Sequence, residues 1–193
     1  MAKAKTKADL FDIVKARLNG IGLLLEEMDA QAAERLAQMI LKAKRVFVTG
    51  KGRSGYIAQC FAMRLMQMGC DAHVPGEASC PRIRRGDVMV AVSCSGTTGS
   101  TVQFARIAHE SRARVVAVTA VPESPLTEHA DLVIVVPVTG KDVKKRYRYV
   151  LGAFNNTLFE QATLLYLDAL VYAMLRRKGI PKQRLSERHT NLE

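Results

Sequence analysis

The sequence of 193 residues is 48% hydrophobic and 24% charged, with a formal net charge of +11 at pH 7. This composition excludes an intrinsically disordered chain, and the length predicts one domain over residues 1–193. No apolar run reaches the roughly 18 to 20 residues that cross a bilayer. The basic N-terminus is not followed by the apolar core of a signal peptide, so we expect a cytoplasmic protein without a membrane partner.

The positive charge is spread along the chain rather than gathered in one segment. Basic residues recur at the N-terminus, at Arg82–Arg85, between Lys141 and Arg148, and at Arg176–Lys178. Aromatic residues make up only 6% of the chain, Trp is absent, and no helix-turn-helix or zinc-finger spacing occurs. The pattern therefore favours a solvated surface that attracts anionic substrates, and not a nucleic-acid partner.

The four cysteines predict neither a metal site nor a disulfide framework, because Cys60, Cys70, Cys80 and Cys94 contain no Cys-x-x-Cys pair. Such usage is typical of a reducing compartment. Cys60 falls in a predicted helix, where we expect a small core residue. Cys94 lies in a polar turn, where helix N–H groups would lower its pKa and favour a nucleophile. The simpler interpretation of Cys94 is a small residue that lends its backbone N–H.

The chain opens with two predicted helices. Apolar residues at a three-four spacing indicate an amphipathic helix over Asp9–Met28, and Asp29 is a suitable N-cap for a second helix ending near Lys42. We expect these helices to occupy residues 1–43, ahead of an α/β core over residues 44–140.

From Arg45 onward, short apolar runs alternate with helical stretches. The runs are nearly continuous, as in parallel strands covered on both faces. The predicted strands are Val46–Thr49, Ala72–Val74, Val88–Val92, Val115–Thr119 and Leu132–Val136. The predicted helices between them are Ser54–Gly69, Ser100–Arg112 and a short one after Ser124. This alternation predicts an α/β fold with a doubly wound, five-stranded parallel sheet flanked by helices in flavodoxin-like layering.

Residues 141–193 are predicted to form a loop and C-terminal helices. A basic loop from Pro137 to Asn155 precedes an amphipathic helix from about Asn156 to Lys178. Gly179–Pro181 ends that helix, because glycine and proline there cannot continue it.

Two polar, glycine-containing turns follow predicted strands. Val46–Val48 leads into Gly50–Gly55, and Val88–Val92 leads into Ser93–Thr98. The N–H groups at the start of a helix are unpaired and lie at the positive end of the helix dipole, which favours an anion. Both turns follow strands of one open sheet, so they can meet at its crevice and hold one phosphorylated small molecule.

The first turn contains Gly-x-Gly-x-x-Gly, but the acidic residue of a dinucleotide site is missing. Such a residue would end the next strand about 20 residues on, whereas Asp71 precedes that strand. There is also no Gly-x-x-x-x-Gly-Lys-Ser/Thr, so a P-loop is excluded. A compact sugar phosphate suits this turn better than a dinucleotide.

These motifs, in this order, resemble those of the sugar isomerase (SIS) domain family, and within it the 6-phospho-3-hexuloisomerases. The resemblance runs from about Lys44 to the last residue. The segments that carry it are Gly52–Tyr56, Phe61–Met66, Gly76–Glu77, Ser93–Thr98, Thr157–Glu160 and Arg188–Glu193.

The resemblance implies an SIS fold with five parallel strands and a homotetramer with active sites near subunit interfaces. It implies conversion of 3-hexulose 6-phosphate to fructose 6-phosphate, in the formaldehyde-fixing ribulose monophosphate pathway or its reverse, without metal or organic cofactor. The positions that match its phosphate-binding residues are Ser54, Ser93, Cys94, Ser95, Gly96, Thr97 and Thr98. Glu160 matches the proton acceptor, and His189 matches a terminal histidine of related isomerases.

The residues themselves leave several roles open. Glu160 is either the carboxylate that moves a proton through an enediol or a glutamate that only favours the helix dipole. His189 either transfers a proton, from its own or a neighbouring subunit, or is a solvated tail residue. Arg53 could pair with the phosphate or the enediolate. Lys51 is a possible source of positive potential, and Glu77 a possible second carboxylate.

Two other functions remain open from sequence. One is an aldose–ketose isomerase, for example one that acts on arabinose 5-phosphate. The other is a non-catalytic module that senses a sugar phosphate. A sensor would carry a DNA-binding segment, and the N-terminal helices show no such pattern.

Overall fold

A computed structural model describes residues 9–138 and 155–191. Its strands are β1 (Val46–Gly50), β2 (Ala72–His73), β3 (Val88–Val92), β4 (Arg114–Thr119) and β5 (Leu132–Val135). Its α-helices are α1 (Leu10–Glu26), α2 (Ala30–Lys42), α3 (Arg53–Met68), α4 (Gly99–Glu110), α5 (Asn155–Lys178) and α6 (Lys182–Glu187). A 3₁₀ helix spans Thr127–His129. The predicted strands are confirmed, and their bounds differ by one residue at most.

The sheet is parallel throughout, and its strand order is β2-β1-β3-β4-β5. The chain runs outward from β1 to β2, then crosses back to place β3 on the other side of β1. The strand order therefore reverses between β1 and β3, and ligands of open α/β sheets bind at such a point. In this pair Gly50 lies opposite Val92, so the turns that follow β1 and β3 start side by side.

Alternation along the strands divides the core in two, because successive side chains point to opposite faces of a sheet. Val46, Val90 and Val116 pack with α1, α2, α3 and α5 on one face. Phe47, Met89 and Val115 pack with α4 and Leu126 on the other face. Continuous apolar strands are thus buried on both sides, which is the pattern of a doubly wound sheet.

Local signals in the sequence account for the ends of the helices. Asp9 caps α1 through a reciprocal pair of hydrogen bonds with Asp12. The predicted cap Asp29 is confirmed, since its carboxylate accepts a hydrogen bond of 2.7 Å from the backbone N–H of Gln31. Gly179 follows α5 with a φ of 61°, a conformation that glycine adopts without strain.

Two expectations about core helices are wrong. Cys60 is exposed, because the buried stripe of α3 runs through Ile57, Phe61 and Leu65 and leaves residue 60 on the outer side. Thr157–Lys178 is long and apolar enough to span a bilayer by length and composition, although we expected no such run. Since 56% of its most apolar window is buried inside the fold, and α5 packs beside α3 and α1, it is a core helix.

The predicted basic loop from Pro137 to Asn155 lies almost wholly outside the described residues. The last polar segment contains α6, a helix of 6 residues. Six residues are too few to show the apolar periodicity that predicts a helix.

Candidate active site

The turn between β1 and α3 is tight enough to require glycine. A Cβ atom on Gly50 would lie 2.8 Å from the backbone oxygen of Ser54. Gly52 is the N-cap of α3 with a φ of 59° and offers no side chain to cap the helix. Within the described residues, the N–H groups of Arg53 and Ser54 have no acceptor. The positive end of α3 is therefore open to a ligand.

The turn between β3 and α4 is lined with hydroxyl groups that bond to one another. Ser93 Oγ lies 3.0 Å from Thr98 Oγ1, and Ser95 Oγ lies 2.9 Å from Thr97 Oγ1. The side chain of Thr98, the N-cap residue of α4, makes no capping hydrogen bond. An anion could replace these exchangeable hydroxyl pairs with hydrogen bonds to itself.

Both turns face one hollow of about 260 Å³, as the sequence predicted. Glu160 of α5 forms the third wall, and this residue as a whole is only 6% exposed. The residues that line it are Lys51, Arg53, Ser54, Val92, Ser93, Cys94, Ser95, Thr98 and Glu160. Positive charge, hydroxyl groups and one carboxylate therefore meet at the carboxyl ends of β1 and β3.

Arg53 and Glu160 form an ion pair across this hollow, through Nε and Oε2. The side chain of Arg53 is 66% exposed and that of Glu160 is 8% exposed. Glu160 lies in the second turn of α5, beyond the first turn where the helix dipole favours a carboxylate. Its charge is therefore paired with the Arg53 side chain and not with the start of its own helix. Both residues are site candidates from the sequence, but their pairing was not predicted.

Of the two interpretations of Cys94, the nucleophile with a lowered pKa is wrong. Burial raises the pKa of this thiol to about 11, and the negative charge of Glu160 adds to the effect. Such a thiol stays protonated near neutral pH, which argues against a nucleophile. Cys94 is therefore a half-buried residue of the turn that lines the hollow.

Two neighbouring hollows adjoin the first. One, of about 270 Å³, shares Arg53 and Glu160 and runs between α3 and α5 past Tyr56, Cys60 and Leu164. The other, of about 490 Å³, shares Lys51 and contains Glu77. Glu77 thus lies beside the candidate site but does not line the hollow that holds Glu160.

His189 is not brought to the site of its own chain. Its neighbour Arg188 lies against Gly69, at the C-terminal end of α3, and a Cβ on that glycine would come 2.7 Å from Arg188 Cζ. Arg53 stands at the other end of this helix of 16 residues. At 1.5 Å per residue the two ends are about 24 Å apart. The imidazole is exposed, and its Nδ1 lies 3.2 Å from the Thr190 carbonyl oxygen.

Two of the residues predicted to bind phosphate lie in the turn between β3 and α4 without lining the hollow. Gly96 is buried with a φ of 67°, and Thr97 is exposed, and neither lines the 260 Å³ hollow. Thr119, the last residue of β4, was not predicted as part of the site, and its hydroxyl donates a hydrogen bond to the Cys94 carbonyl oxygen. The signal for Thr119 in the sequence was a hydroxyl-bearing residue at the end of the apolar run that forms β4.

In residues 9–138 and 155–191, no three His, Cys, Asp or Glu side chains are grouped to hold a metal.

Known proteins resemble this chain over most of its length. Residues 39–170 match the SIS domain family. The 3-hexulose-6-phosphate isomerase of Bacillus subtilis is 38% identical over 163 residues, which are 84% of this chain and 88% of that protein. An uncharacterized HTH-type transcriptional regulator of Haemophilus influenzae is 29% identical, across 86% of this chain and 58% of its own length.

The solved structures agree with these relatives. A crystal structure from Methanococcus jannaschii, from which a function of 3-hexulose-6-phosphate isomerase was inferred, is 30% identical with a TM-score of 0.80. It covers 93% of this chain and 98% of its own. The matched family segment contains both polar turns and Glu160, and the chain belongs to the SIS domain family.

Proposed function

We propose that this protein is a sugar-phosphate isomerase that converts 3-hexulose 6-phosphate to fructose 6-phosphate through an enediol. One observation carries the proposal: two glycine- and hydroxyl-containing turns and a buried carboxylate from a third element line the same hollow. The relatives that bear this activity as their name support the choice of sugar.

The phosphate of the substrate would lie between the two turns. The open N-terminal ends of α3 and α4 point into this space, and Ser54, Ser93, Ser95 and Thr98 add hydroxyl donors. Lys51 contributes positive charge at the mouth. In this account Cys94, Gly96 and Thr97 hold the turn in shape, and Cys94 contributes its backbone N–H.

Glu160 is our candidate for the group that moves hydrogen between carbons. Its carboxylate takes the proton from C2, and the electron pair of the broken C–H bond forms the C2=C3 bond while the C3 oxygen gains a proton. Delivery of a proton to C3 and loss of one from the C2 hydroxyl then places the carbonyl at C2. Because Glu160 is only 6% exposed, few water molecules would compete with the sugar for its carboxylate.

Arg53 holds the Glu160 carboxylate when no sugar is bound. Because its side chain is largely exposed, the guanidinium can swing toward the sugar oxygens without disturbing the core. There it would stabilise the negative charge that develops on the enediolate oxygen. A single movement of the Arg53 side chain would thus release Glu160 and stabilise the intermediate.

We further propose that His189 acts in the site of a second copy. The side chain of its neighbour Arg188 lies at the C-terminal end of α3, about 24 Å along that helix from Arg53. The groove between α3 and α5 that flanks Glu160 is apolar and open, with Tyr56 69% exposed. A homotetramer that covers this groove could bring His189 or Glu77 of one copy to the substrate of another.

Replacement of Glu160 by Gln separates catalysis from binding. We expect turnover of 3-hexulose 6-phosphate to fall about 10³-fold, because general base catalysis of this kind is worth 10²- to 10⁴-fold. Calorimetry should show that fructose 6-phosphate still binds within about threefold of wild type. Glu26→Gln, at an exposed position of α1, is the matched control and should keep full activity.

Unchanged turnover in Glu160→Gln would remove Glu160 as the base. A panel of ketose and aldose phosphates assayed with the wild type tests the choice of substrate. Turnover of an aldose phosphate alone would make the protein an aldose–ketose isomerase. Binding without any isomerisation would favour a sensor of sugar phosphates.

A further inference from the structure

We propose that Thr119 is a positioning residue that aims a backbone N–H of the second turn at the ligand. The inference rests on the proposed phosphate site but not on the isomerase reaction. It concerns the peptide between Cys94 and Ser95, whose carbonyl oxygen and N–H point in opposite directions because the peptide is planar and trans. Whatever holds the carbonyl therefore also directs the N–H.

The Cys94 carbonyl oxygen is held from the side of β4. It accepts a hydrogen bond of 3.2 Å from Thr119 Oγ1 and one of 3.0 Å from the backbone N–H of Ala120. Thr119 is fully buried, and its Oγ1 in turn accepts a bond of 3.2 Å from the N–H of Val121. One hydroxyl therefore uses both its donor and an acceptor site, which fixes its orientation.

The strand order gives the direction of the Ser95 N–H. β3 lies between β4 and β1 in the sheet. With the Cys94 carbonyl turned toward β4, the Ser95 N–H is turned toward the β1 side, where the Gly50–Ser54 turn forms the opposite wall of the hollow. This N–H has no acceptor within the described residues, and Ser95 lines the hollow.

A second hydrogen bond, from the loop that follows β4, fixes the Gly96 carbonyl. The N–H of Leu126 donates to the Gly96 oxygen at 3.0 Å. A Cβ on Gly96 would lie 2.5 Å from Ser124 Cβ, so the loop after β4 presses directly against the turn. Two carbonyl oxygens that would repel a phosphate are therefore held away from it. Without the Thr119 hydroxyl, the Cys94 carbonyl keeps one donor and the peptide can rotate its oxygen toward the anion.

The test compares three variants by calorimetry with inorganic phosphate and with fructose 6-phosphate. Thr119→Val keeps the shape of the side chain and removes the hydroxyl, and we expect both dissociation constants to rise about tenfold, the effect of one good hydrogen bond. Thr119→Ser should stay within about twofold of wild type. Thr163→Val is the control, because Thr163 is equally buried and its hydroxyl has no partner in the described residues.

In the isomerase assay, Thr119→Val should raise KM about tenfold and change kcat less than twofold. Wild-type phosphate affinity in Thr119→Val, or an equal loss in Thr163→Val, would overturn the proposal. Should Thr119→Val not fold, amide NMR of the wild type decides: phosphate must move the Ser95 amide proton downfield, and an unmoved resonance refutes the inference. A Ser95 shift without any isomerisation would instead count against the proposed function alone.

Discussion

Cys94 and Cys60 lie near the same carboxylate but differ in exposure. Cys60 is exposed at the groove between α3 and α5. Cys94 is half-buried, and its pKa is raised to about 11 by burial and by Glu160. The thiolate is the reactive form of cysteine, so we expect the half-buried Cys94 to react more slowly than the exposed Cys60.

We expect iodoacetamide at pH 8 to alkylate Cys60 well before Cys94, as peptide mass spectrometry would show. Labelling of Cys94 should increase as the pH rises toward 11, because only then does its thiolate form. Cys94→Ala should retain turnover within about threefold, which is small beside the 10²- to 10⁴-fold effect of a catalytic proton donor or acceptor. Labelling of Cys94 at the rate of Cys60 would contradict this account.

At the scale of elements, the junction between β1 and α3 leaves no room for a side chain. Gly50→Ala should lower the free energy of unfolding by about 2 kcal/mol, since its Cβ would meet the Ser54 carbonyl at 2.8 Å. It should also weaken phosphate binding, because α3 must shift away from β1.

Gly22→Ala is the matched control for Gly50→Ala. Gly22 lies inside α1 with nothing within 4 Å of an added Cβ. This change should raise the free energy of unfolding by about 1 kcal/mol through helix propensity. Urea unfolding measures both variants, and equal effects at the two positions would show that the tight junction is not formed.

The strands were predictable because each is a short apolar run, and parallel strands covered on both faces are continuous in this way. Both polar turns were predictable for the same reason, since each begins where such a run stops. The outward position of Cys60 was missed because α3 has apolar residues on more than one side. Which of them face the sheet depends on packing against β1 and α5.

At the scale of the whole molecule, the site depends on contacts between distant parts of the chain. Arg53 and Glu160 are 107 residues apart in sequence and pair only because α5 lies along α3. The position of Arg188 at the far end of α3 likewise separates His189 from its own site. Sequence patterns named these residues but could not give their distances, because those depend on helix packing.

The net charge of +11 also has a spatial arrangement that the sequence did not reveal. Lys51 and Arg53 face the candidate site. At the opposite edge of the sheet, where β1 and β3 begin, the guanidinium of Arg45 pairs instead with Asp87. The charge of the 260 Å³ hollow is therefore set by two cations and one carboxylate rather than by the overall excess of positive charge in the chain.

The most direct test of the central claim follows the carbonyl carbon itself. Fructose 6-phosphate labelled with ¹³C at C2 is incubated with the wild type and with Glu160→Gln, and ¹³C NMR records the label. We predict that the wild type converts the labelled carbonyl carbon to an alcohol carbon beside a new C3 carbonyl, and that Glu160→Gln leaves it unchanged. A product with its carbonyl at C1, or equal conversion by the two proteins, would contradict the account.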